Sequence, residues 1–526
     1  MGHHPVCFTA LAMLFNSHIF IFIFLPLTFA LFFLLARTSH LLAAGWLAAA
    51  SLFFYGWWNP AYVALLLVSI VFNYFAGMAI ARERTRKKVL VIIAVAANLL
   101  LLGYYKYSNF FLTNAAGLMG FTPPQAEIIL PLGISFFTFT QIAFLVDTCK
   151  GKVKEYNFVH YCLFVTYFPH LIAGPILHHA EMMPQFARAS TYRIEASNLA
   201  VGLTIFFIGL FKKVILADGI APFVAPLYGL PGAGTPPTFL EAWCGVLAYS
   251  LQLYFDFSGY SDMAIGLSRI FGVQLPLNFH SPYKAVNIAE LWNRWHMTLS
   301  RFLRDYVFIP LGGQRKSALR RYSSVMITMF LCGLWHGAGW TYIVFGILQG
   351  VYLCANQWWR MLRKRLGQDR KHPTRIGTVA AIGVTFVAWL VGLAFFRADS
   401  VPHALQIIGG MLGVYGFTLP DQWLAKWGAA GQWLASGGVS FNDARGLVTG
   451  GLINWIVILL GIAWFAPNTQ QIMARFEPAL LIPRGMTPAR RFAWRPSVAF
   501  GLLVAAVAFA SIVNLHRQSE FLYFQF

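Results

Sequence analysis

The sequence predicts an all-α membrane protein whose helices cross the bilayer many times. Of its 526 residues, 58% are hydrophobic and only 11% are charged, whereas a soluble domain has about 25% charged residues. So few polar residues could not cover the surface of several soluble domains, and disordered chains are poor in the Phe, Leu and Ile that dominate here. Because a membrane helix needs about 20 apolar residues, roughly eleven to thirteen spans would take about half of the chain.

Long apolar runs place these spans along the chain. The predicted spans lie at about 18–36, 41–58, 60–81, 88–103, 127–147, 198–216, 238–255, 322–340, 341–359, 376–396, 451–466 and 497–515. Stretches 156–177, 259–279 and 288–311 are interrupted by polar residues, Pro or Gly and fit no simple span. Since broken helices survive at membrane depth only inside protein or beside a cavity, these stretches predict an internal chamber.

Charge is distributed unevenly. The net charge is +21, from 39 basic and 18 acidic residues, and the basic residues form short clusters between apolar runs. The clusters lie at 82–88, 150–154, 315–321, 360–375 and 484–495. This pattern is typical of cytoplasmic loops that face anionic lipid headgroups, so we expect no nucleic-acid partner.

The same clusters predict an orientation. Three spans precede cluster 82–88, which places the N-terminus outside, and counting onward from cluster 360–375 places the C-terminus outside as well. Segment 416–450, which contains several tryptophans, is then an extracytoplasmic loop or interfacial helix. We interpret its tryptophans as membrane-interface anchors rather than ligand contacts.

Several common classes of site are not indicated. The six cysteines show no CxxC spacing, so we expect neither a disulfide framework nor a zinc site. His178, His179 and Glu181 resemble metal ligands, but adjacent histidines point apart on a helix. With no GxSxG motif and no P-loop, a serine hydrolase or an ATPase has no support.

The segment from Leu291 to Tyr306 is unusually polar for this chain, with three Arg, an Asp, an Asn and a His between apolar runs. If it is helical, Trp292, His296 and Ser300 share one face, and Arg301 can reach Asp305. Ionisable groups at membrane depth usually face an interior cavity. The alternative is an amphipathic helix on the cytoplasmic interface, which could also cover such a cavity.

A second candidate is His336, which lies in an apolar run among Gly333, Gly337 and Gly339. The glycines predict room for a substrate beside the imidazole. Counted from Tyr322 at about 1.5 Å per residue, His336 lies about 21 Å into a core about 30 Å thick. Neutral imidazole is a general base at physiological pH, although a lone histidine in an apolar helix is more often a packing residue.

Together these segments resemble the membrane-bound O-acyltransferases. The run from Trp292 to Ser300 (WNRWHMTLS), followed by Arg304-Asp305-Tyr306, is similar to that family's signature, and Trp335-His336-Gly337 is similar to its catalytic-histidine motif. Further similar segments extend the resemblance over nearly the whole chain, most closely to the bacterial branch that O-acetylates exopolysaccharides such as alginate and cellulose. They are FYGWWNP at 54–60, LGISF at 132–136, FPHLIAGP at 168–175 and YFDFSGYSD at 254–262.

The resemblance implies a ring of helices with re-entrant and short interfacial helices around a central chamber. It implies one integral-membrane domain over 1–526, with a catalytic core at about 127–360 and C-terminal helices with an extracytoplasmic loop at about 376–526. It also implies a multi-pass protein of the bacterial inner membrane, with both termini in the periplasm under the orientation above.

The resemblance also implies a reaction. Cytosolic acetyl-CoA would donate the acetyl group, with no permanently bound cofactor and no metal. His336 would take the proton of the acceptor hydroxyl, and His296 would assist from the cytoplasmic half. Arg294 and Arg301 would attract the phosphates of the donor, or else pair with lipid headgroups. The remaining supporting residues would be Asn293, as a hydrogen-bond donor, and Trp295, Ser300, Asp305 and Trp335.

The expected partners are membrane lipids, the exopolysaccharide machinery, and an extracytoplasmic acetyltransferase that resembles a serine hydrolase and passes the acetyl group onward. Whether the acceptor is a sugar hydroxyl or a serine of that partner stays open. Two alternative functions also remain. One is a glycan or acyl-carrier transporter that would use Asp256 and Asp262 as a proton relay, and the other is D-alanyl transfer within the same superfamily.

Overall fold

The computed structural model confirms the all-α prediction, with many apolar helices and very little strand. It describes residues 13–122, 128–153, 156–228, 235–313, 317–367, 374–442, 445–483, 486, 488–489, 491–516 and 521–522. These residues form two compact units. The single domain over 1–526 stays a prediction.

The first unit comprises the described residues within Met1–Val214, Ser258–Asn278 and Thr469–Gln525. Its helices before the second unit are α1 (Leu25–Ala36), α2 (His40–Gly56), α3 (Ala61–Arg82), α4 (Lys87–Met119), α5 (Ile134–Cys149), α6 (Phe158–Thr166), α7 (Phe168–Leu171), α8 (His179–Phe186) and α9 (Ala196–Phe211). A π-helical turn, Phe20–Phe24, leads directly into α1.

The second unit comprises the described residues within Ile215–Phe257 and Phe279–Asn468. Its helices are α10 (Asp218–Ile220), α11 (Ala225–Tyr228), α12 (Phe239–Ile270), α13 (Ile288–Trp292), α14 (Met297–Leu303), α15 (Ala318–His336), α16 (Trp340–Arg365), α17 (Arg375–Arg397), α18 (Val401–Met411), α19 (Asp421–Trp427), α20 (Ala429–Ser436) and α21 (Gly450–Phe465). The last part of α12, from Ser258, belongs to the first unit, as do α22 (Thr469–Ile472) and α23 (Val498–Val513).

Short polar side chains begin several of the apolar helices. Ser39, Thr374 and Ser497 stand before α2, α17 and α23, and each accepts a backbone N–H bond from the first turn of its helix. Such caps satisfy donors that a helix cannot pair internally. The helix starts are therefore encoded locally, within one turn of sequence.

Four helices of the described part are long and apolar enough to cross a membrane: Ala61–Arg82, Lys87–Met119, Ala196–Phe223 and Arg375–Arg397. Shorter apolar helices are Phe20–Ala36, His40–Gly56, Ile134–Cys149, Gly450–Phe465 and Val498–Val513. The structure therefore supports a multi-pass membrane protein. The number of spans stays a prediction.

The basic loop between α3 and α4 is organised by one carboxylate. Glu83 Oε1 accepts N–H bonds from Thr85 (2.9 Å) and Arg86 (3.2 Å) and the hydroxyl bond of Thr85. These bonds stabilise the ionised form and hold the pKa of Glu83 at about 2. The carboxylate of Glu83 therefore stabilises the conformation of this loop within the cluster of basic residues.

Segment 416–450 contains more regular structure than a loop. Helices α19 and α20 occupy its middle, and a parallel pair of two-residue strands, β1 (Thr418–Leu419) and β2 (Ser440–Phe441), joins its ends. Trp427 and Trp433 are exposed. Their position at the membrane interface stays a prediction.

The expectation of a broken stretch at 259–279 is wrong in its first half, because α12 runs without interruption to Ile270. The glycines there allow two helices of the first unit to touch. A Cβ on Gly259 would lie 2.8 Å from the carbonyl oxygen of Gly209, and one on Gly266 would lie 2.5 Å from that of Gly202. Without a hydrophobic driving force between helices in lipid, small residues permit this close backbone packing.

We predict that Gly266→Ala destabilises the protein, because the added methyl group meets backbone atoms of α9 that cannot rotate away. Overpacking of this kind costs about 1–3 kcal/mol. The measurement is the melting temperature of the detergent-solubilised protein, followed by size-exclusion chromatography after heating.

The matched control is Gly103→Ala on α4, where nothing lies within 4 Å of the new Cβ. This variant should keep or raise the melting temperature, since it reduces only the freedom of the unfolded chain. Equal melting temperatures for the two variants would contradict close packing at Gly266.

Candidate functional site

His336 is the last residue of α15, and the chain leaves the helix at Gly337 in an extended conformation. Helix α15 has 19 residues, which separates the imidazole from Ala318 by about 27 Å along the axis. The side chain is buried against aromatic rings, with centroid distances of 4.9 Å to Trp335 and 5.0 Å to Phe396. The structure thus places a titratable ring at the far end of a helix, inside an apolar environment.

Gly333 and Gly337 allow α15 and the start of α16 to pack closely, which corrects the prediction that these two glycines leave room for a substrate. For Gly339 it stays a prediction. A Cβ on Gly333 would collide with the carbonyl oxygen of Tyr342 and lie 2.9 Å from the Cα of Gly346, and one on Gly337 would collide with the ring of Tyr342. Helices α15 and α16 therefore approach backbone to backbone. Their packing fixes the end of α15 and, with it, the position of His336.

His296 occupies a strained turn. Its backbone is left-handed, with φ 42° and ψ 54°, and it stands between α13 and α14. A side chain other than glycine rarely adopts this conformation and loses about 1–2 kcal/mol in it. Strain of this kind persists where the surrounding structure imposes it, and it is often found at functional sites.

The predicted continuous helix through Trp292, His296 and Ser300 is therefore wrong. Two short helices meet at the left-handed residue, and the hydroxyl of Ser300 donates a 2.9 Å bond to the carbonyl oxygen of Trp292. This bond closes the turn. Ser300 thus supports the backbone that carries His296.

The structure brings the two predicted histidines to one aromatic side chain. The imidazole of His296 is fully buried, 6.0 Å from the indole of Trp335 and 4.9 Å from the ring of Phe257 between centroids. Since the same indole lies 4.9 Å from the ring of His336, Trp335 lies in contact with both. Sequence separation had given no evidence of this contact.

The remaining predicted residues form the surroundings of this pair. Trp295 is buried and packs against Trp389 (5.0 Å) and Phe279 (5.0 Å). Trp295 therefore has a packing role next to the turn at His296. Arg301 lies half-buried on α14.

Three polar residues predicted to support the site lie on its outer side. The guanidinium of Arg294 forms an ion pair with Glu290, at 2.7 and 2.9 Å, and a bond to the carbonyl oxygen of His280. Asn293 is exposed at the end of α13. Asp305 pairs with the adjacent Arg304 at 2.8 Å. A contact of these residues with a donor stays a prediction.

The sequence analysis missed Gln349 and Phe396. Gln349, fully buried on α16, accepts a 3.1 Å bond from the indole N–H of Trp292, and its side-chain nitrogen lies 2.6 Å from the position that a Cβ on Gly392 would take. A buried amide in an apolar run was a signal that could have indicated Gln349. Phe396, which packs on His336, gave no such signal among many phenylalanines.

Asp262 is satisfied within the first unit, which weakens the transporter alternative. Its carboxylate accepts bonds from Lys212 Nζ (2.5 Å), Thr469 Oγ1 (2.6 Å) and Gln470 Nε2 (3.0 Å). These three donors satisfy the buried carboxylate within the fold, which indicates a structural role. Asp256 is buried in the second unit.

In the described residues, no group of three or more His, Cys, Asp or Glu side chains is arranged to hold a metal ion. His178 Nδ1 instead lies 3.8 Å from a carboxylate oxygen of Asp147.

Comparison with known proteins identifies the chain's relatives. The model of the membrane-bound O-acyltransferase family matches residues 29–396. A peptidoglycan O-acetyltransferase of Helicobacter pylori is 43% identical over 77% of this chain and 81% of its own. The probable alginate O-acetylase AlgI of Azotobacter vinelandii is 36% identical over 98% of this chain and all of its own. A teichoic acid D-alanyltransferase of Bacillus subtilis is 32% identical over 53% of this chain and 72% of its own.

We predict that His296→Gly unfolds at a higher temperature than His296→Ala. Both variants remove the imidazole, but only glycine adopts φ 42° without steric cost, and the difference should be about 1 kcal/mol. Thermal unfolding of the two purified variants measures it.

The matched control is the same pair of substitutions at Ser300, within α14. There the order should reverse, because alanine is favoured over glycine in a helix by about 0.5–1 kcal/mol. Greater stability of alanine at both positions would argue against a strained turn at His296.

Proposed function

Because the chain belongs to the membrane-bound O-acyltransferase family and is an O-acetyltransferase, we propose that it serves the O-acetylation of an exported exopolysaccharide such as alginate or cellulose. The acetyl group comes from cytosolic acetyl-CoA and crosses the bacterial inner membrane within this protein. The match to an alginate O-acetylase over nearly the full length of both chains supports this choice.

The observation that carries the mechanism is the contact of two buried histidines with the indole of Trp335. A neutral imidazole can accept a proton near physiological pH. In the proposed reaction His336 takes the proton of the acceptor hydroxyl while the oxygen of that hydroxyl attacks the thioester carbonyl. The C–S bond then breaks, and the thiolate of CoA receives the proton from the imidazolium of His336.

His296 has a supporting role in this proposal. Its left-handed turn holds the imidazole beside the indole of Trp335, where it orients the thioester carbonyl of the donor. Fixed groups of this kind lower the barrier because they need no reorganisation during the reaction. The ion pair of Arg294 with Glu290 keeps the turn in place, so Arg294 contributes through the backbone.

The orientation follows the positive-inside rule. Helix α15 begins within the basic cluster at 315–321, so its start lies at the cytoplasmic side and His336 lies toward the outside. The donor therefore enters from the cytoplasm and the acceptor from the periplasm, and both termini are periplasmic. No permanently bound cofactor is required. The acceptor is a glycan hydroxyl, reached directly or through an extracytoplasmic acetyltransferase of the same machinery.

Two relatives supply a second candidate acceptor and a second candidate donor. The peptidoglycan O-acetyltransferase covers 77% of this chain at 43% identity, so peptidoglycan is the competing acceptor. The teichoic acid D-alanyltransferase covers 53% at 32% identity, so a D-alanyl thioester is the competing donor. The same assay separates these candidates.

We predict that His336→Gln abolishes acetyl transfer, with a loss of at least a hundredfold, because a general base contributes about 10²–10⁴ to the rate. The assay uses the purified protein in proteoliposomes, labelled acetyl-CoA, and oligosaccharides of alginate, cellulose or peptidoglycan. Each is offered with and without periplasmic extract to supply an extracytoplasmic partner.

The control is His18→Ala, at an exposed residue of the first unit, which should transfer at the rate of the unaltered protein. Equal melting temperatures show that His336→Gln is folded. Transfer retained by folded His336→Gln would refute the role of His336. Transfer of D-alanine in place of acetyl would refute the proposed donor.

A further inference from the structure

The segment that precedes α13 is bonded to the turn at His296. The backbone N–H of His280 donates a 2.9 Å bond to the carbonyl oxygen of Arg294, and the guanidinium of Arg294 donates a 3.3 Å bond to the carbonyl oxygen of His280. Arg294 lies two residues before His296. The backbone at His280 is therefore paired with the backbone that carries the turn.

Aromatic packing supports the same connection. The ring of Phe279 lies 5.0 Å from the ring of Trp295 and 4.8 Å from that of Phe257, between centroids. Phe257 in turn contacts the imidazole of His296 at 4.9 Å. Both backbone bonds and ring contacts thus join the segment at 279–280 to the turn.

Backbone strain occurs in both of these paired segments. The described residues include four non-glycine residues with positive φ, and two of them are Ser281 (φ 47°) and His296 (φ 42°). Such a conformation persists only where the surrounding contacts impose it. Because the bonds between His280 and Arg294 connect the two strained residues, contacts that hold Ser281 also constrain His296.

Asn468, just after α21, supplies such contacts. Its side-chain amide nitrogen donates a 2.9 Å bond to Oγ of Ser281 and lies 3.1 Å from Nδ1 of His280. An amide nitrogen only donates, so Nδ1 of His280 accepts this second bond. One side chain therefore bonds two adjacent residues of the segment that is paired with the turn.

The chain around Asn468 adds two bonds to the same segment. The indole N–H of Trp464 donates to the carbonyl oxygen of Tyr283 at 3.1 Å, and Nζ of Lys284 donates to the carbonyl oxygen of Ala466 at 2.7 Å. Trp464 belongs to the last turn of α21. The end of this helix therefore fixes Asn468 against the segment at 280–284.

We propose that Asn468 is a positioning residue for acyl transfer, because it holds His296 in its left-handed turn. It acts through the paired backbones of His280 and Arg294. Without its amide, the residue at position 296 can leave the left-handed conformation, and the imidazole loses its fixed place beside Trp335. The inference rests on the proposed function, in which His296 orients the thioester of the donor.

The first test measures the turn without the reaction, in the full-length protein in nanodiscs. His296→Gly should melt above His296→Ala, because glycine adopts the left-handed conformation without steric cost. Asn468→Ala should reduce this difference in melting temperature by at least half. Asn454→Ala, the same substitution at an exposed position of α21, should leave the difference unchanged.

The second test measures acetyl transfer from labelled acetyl-CoA. Asn468→Ala should lower kcat on the order of tenfold, because a misplaced group loses its effect on the rate, and it should leave KM for acetyl-CoA unchanged. Added to His296→Gln, the same substitution should have no further effect on kcat, because the imidazole that it positions is already absent. A smaller amount of folded protein would instead lower kcat in both backgrounds.

Conservative variants of His280 test the connecting residue. His280→Asn keeps an acceptor oxygen near the position of Nδ1, whereas His280→Leu removes the acceptor. His280→Asn should therefore retain more of kcat than His280→Leu. Equal loss in the two variants would contradict the path through His280.

The proposal is overturned if glycine has no advantage over alanine at position 296, if that advantage survives Asn468→Ala, or if Asn468→Ala and His296→Gln lower kcat additively. The proposed function fails separately. If the unaltered protein transfers no acetyl group while Asn468→Ala removes the thermal difference, the proposed function is refuted and the effect of Asn468 on the turn stands.

Discussion

The contact of two buried imidazoles with the indole of Trp335 is the constraint on which the proposed site depends. Aromatic rings pack against both imidazoles and restrict their positions. Trp335 supplies this packing for His296 and His336 together. Phe257 and Phe396 close the outer sides of the two rings. Aromatic packing therefore helps to position both imidazoles.

A different structural feature positions each histidine beside the indole of Trp335. His336 is held by the end of a helix whose Gly333 packs against Gly346 of its neighbour. His296 is held by a left-handed turn between two short helices. Close packing of backbones and a strained dihedral both stabilise one geometry at the expense of others. The helix packing at Gly333 and the turn at His296 therefore both favour a site that is already formed before the substrate binds.

Two of the charged residues have a structural role. Asp262 and Arg294 are paired within their own units and stabilise local structure. Buried charge is costly without a partner, so these paired residues indicate architecture. The same reasoning separates an enzyme from a transporter, because the carboxylate of Asp262 has its donors already.

The sequence by itself determined the class of this protein. Its apolar runs required membrane helices, and its motifs around His296 and His336 required an acyltransferase of the family that the comparison identified. These features are local, since hydropathy and motif spacing are read within a few turns. Helix starts were equally local, because caps such as Thr374 act within one turn.

Only the tertiary structure decided which residues from distant parts of the chain are in contact. The helix expected through Trp292 and Ser300 is broken at His296, and two of the glycines near His336 serve helix packing. Phe257 and Trp335 lie far apart in the chain, yet both rings pack against His296. Hydropathy records how apolar a residue's surroundings are but not which residues supply them. Contacts between distant segments follow from packing, and packing is a property of the whole fold.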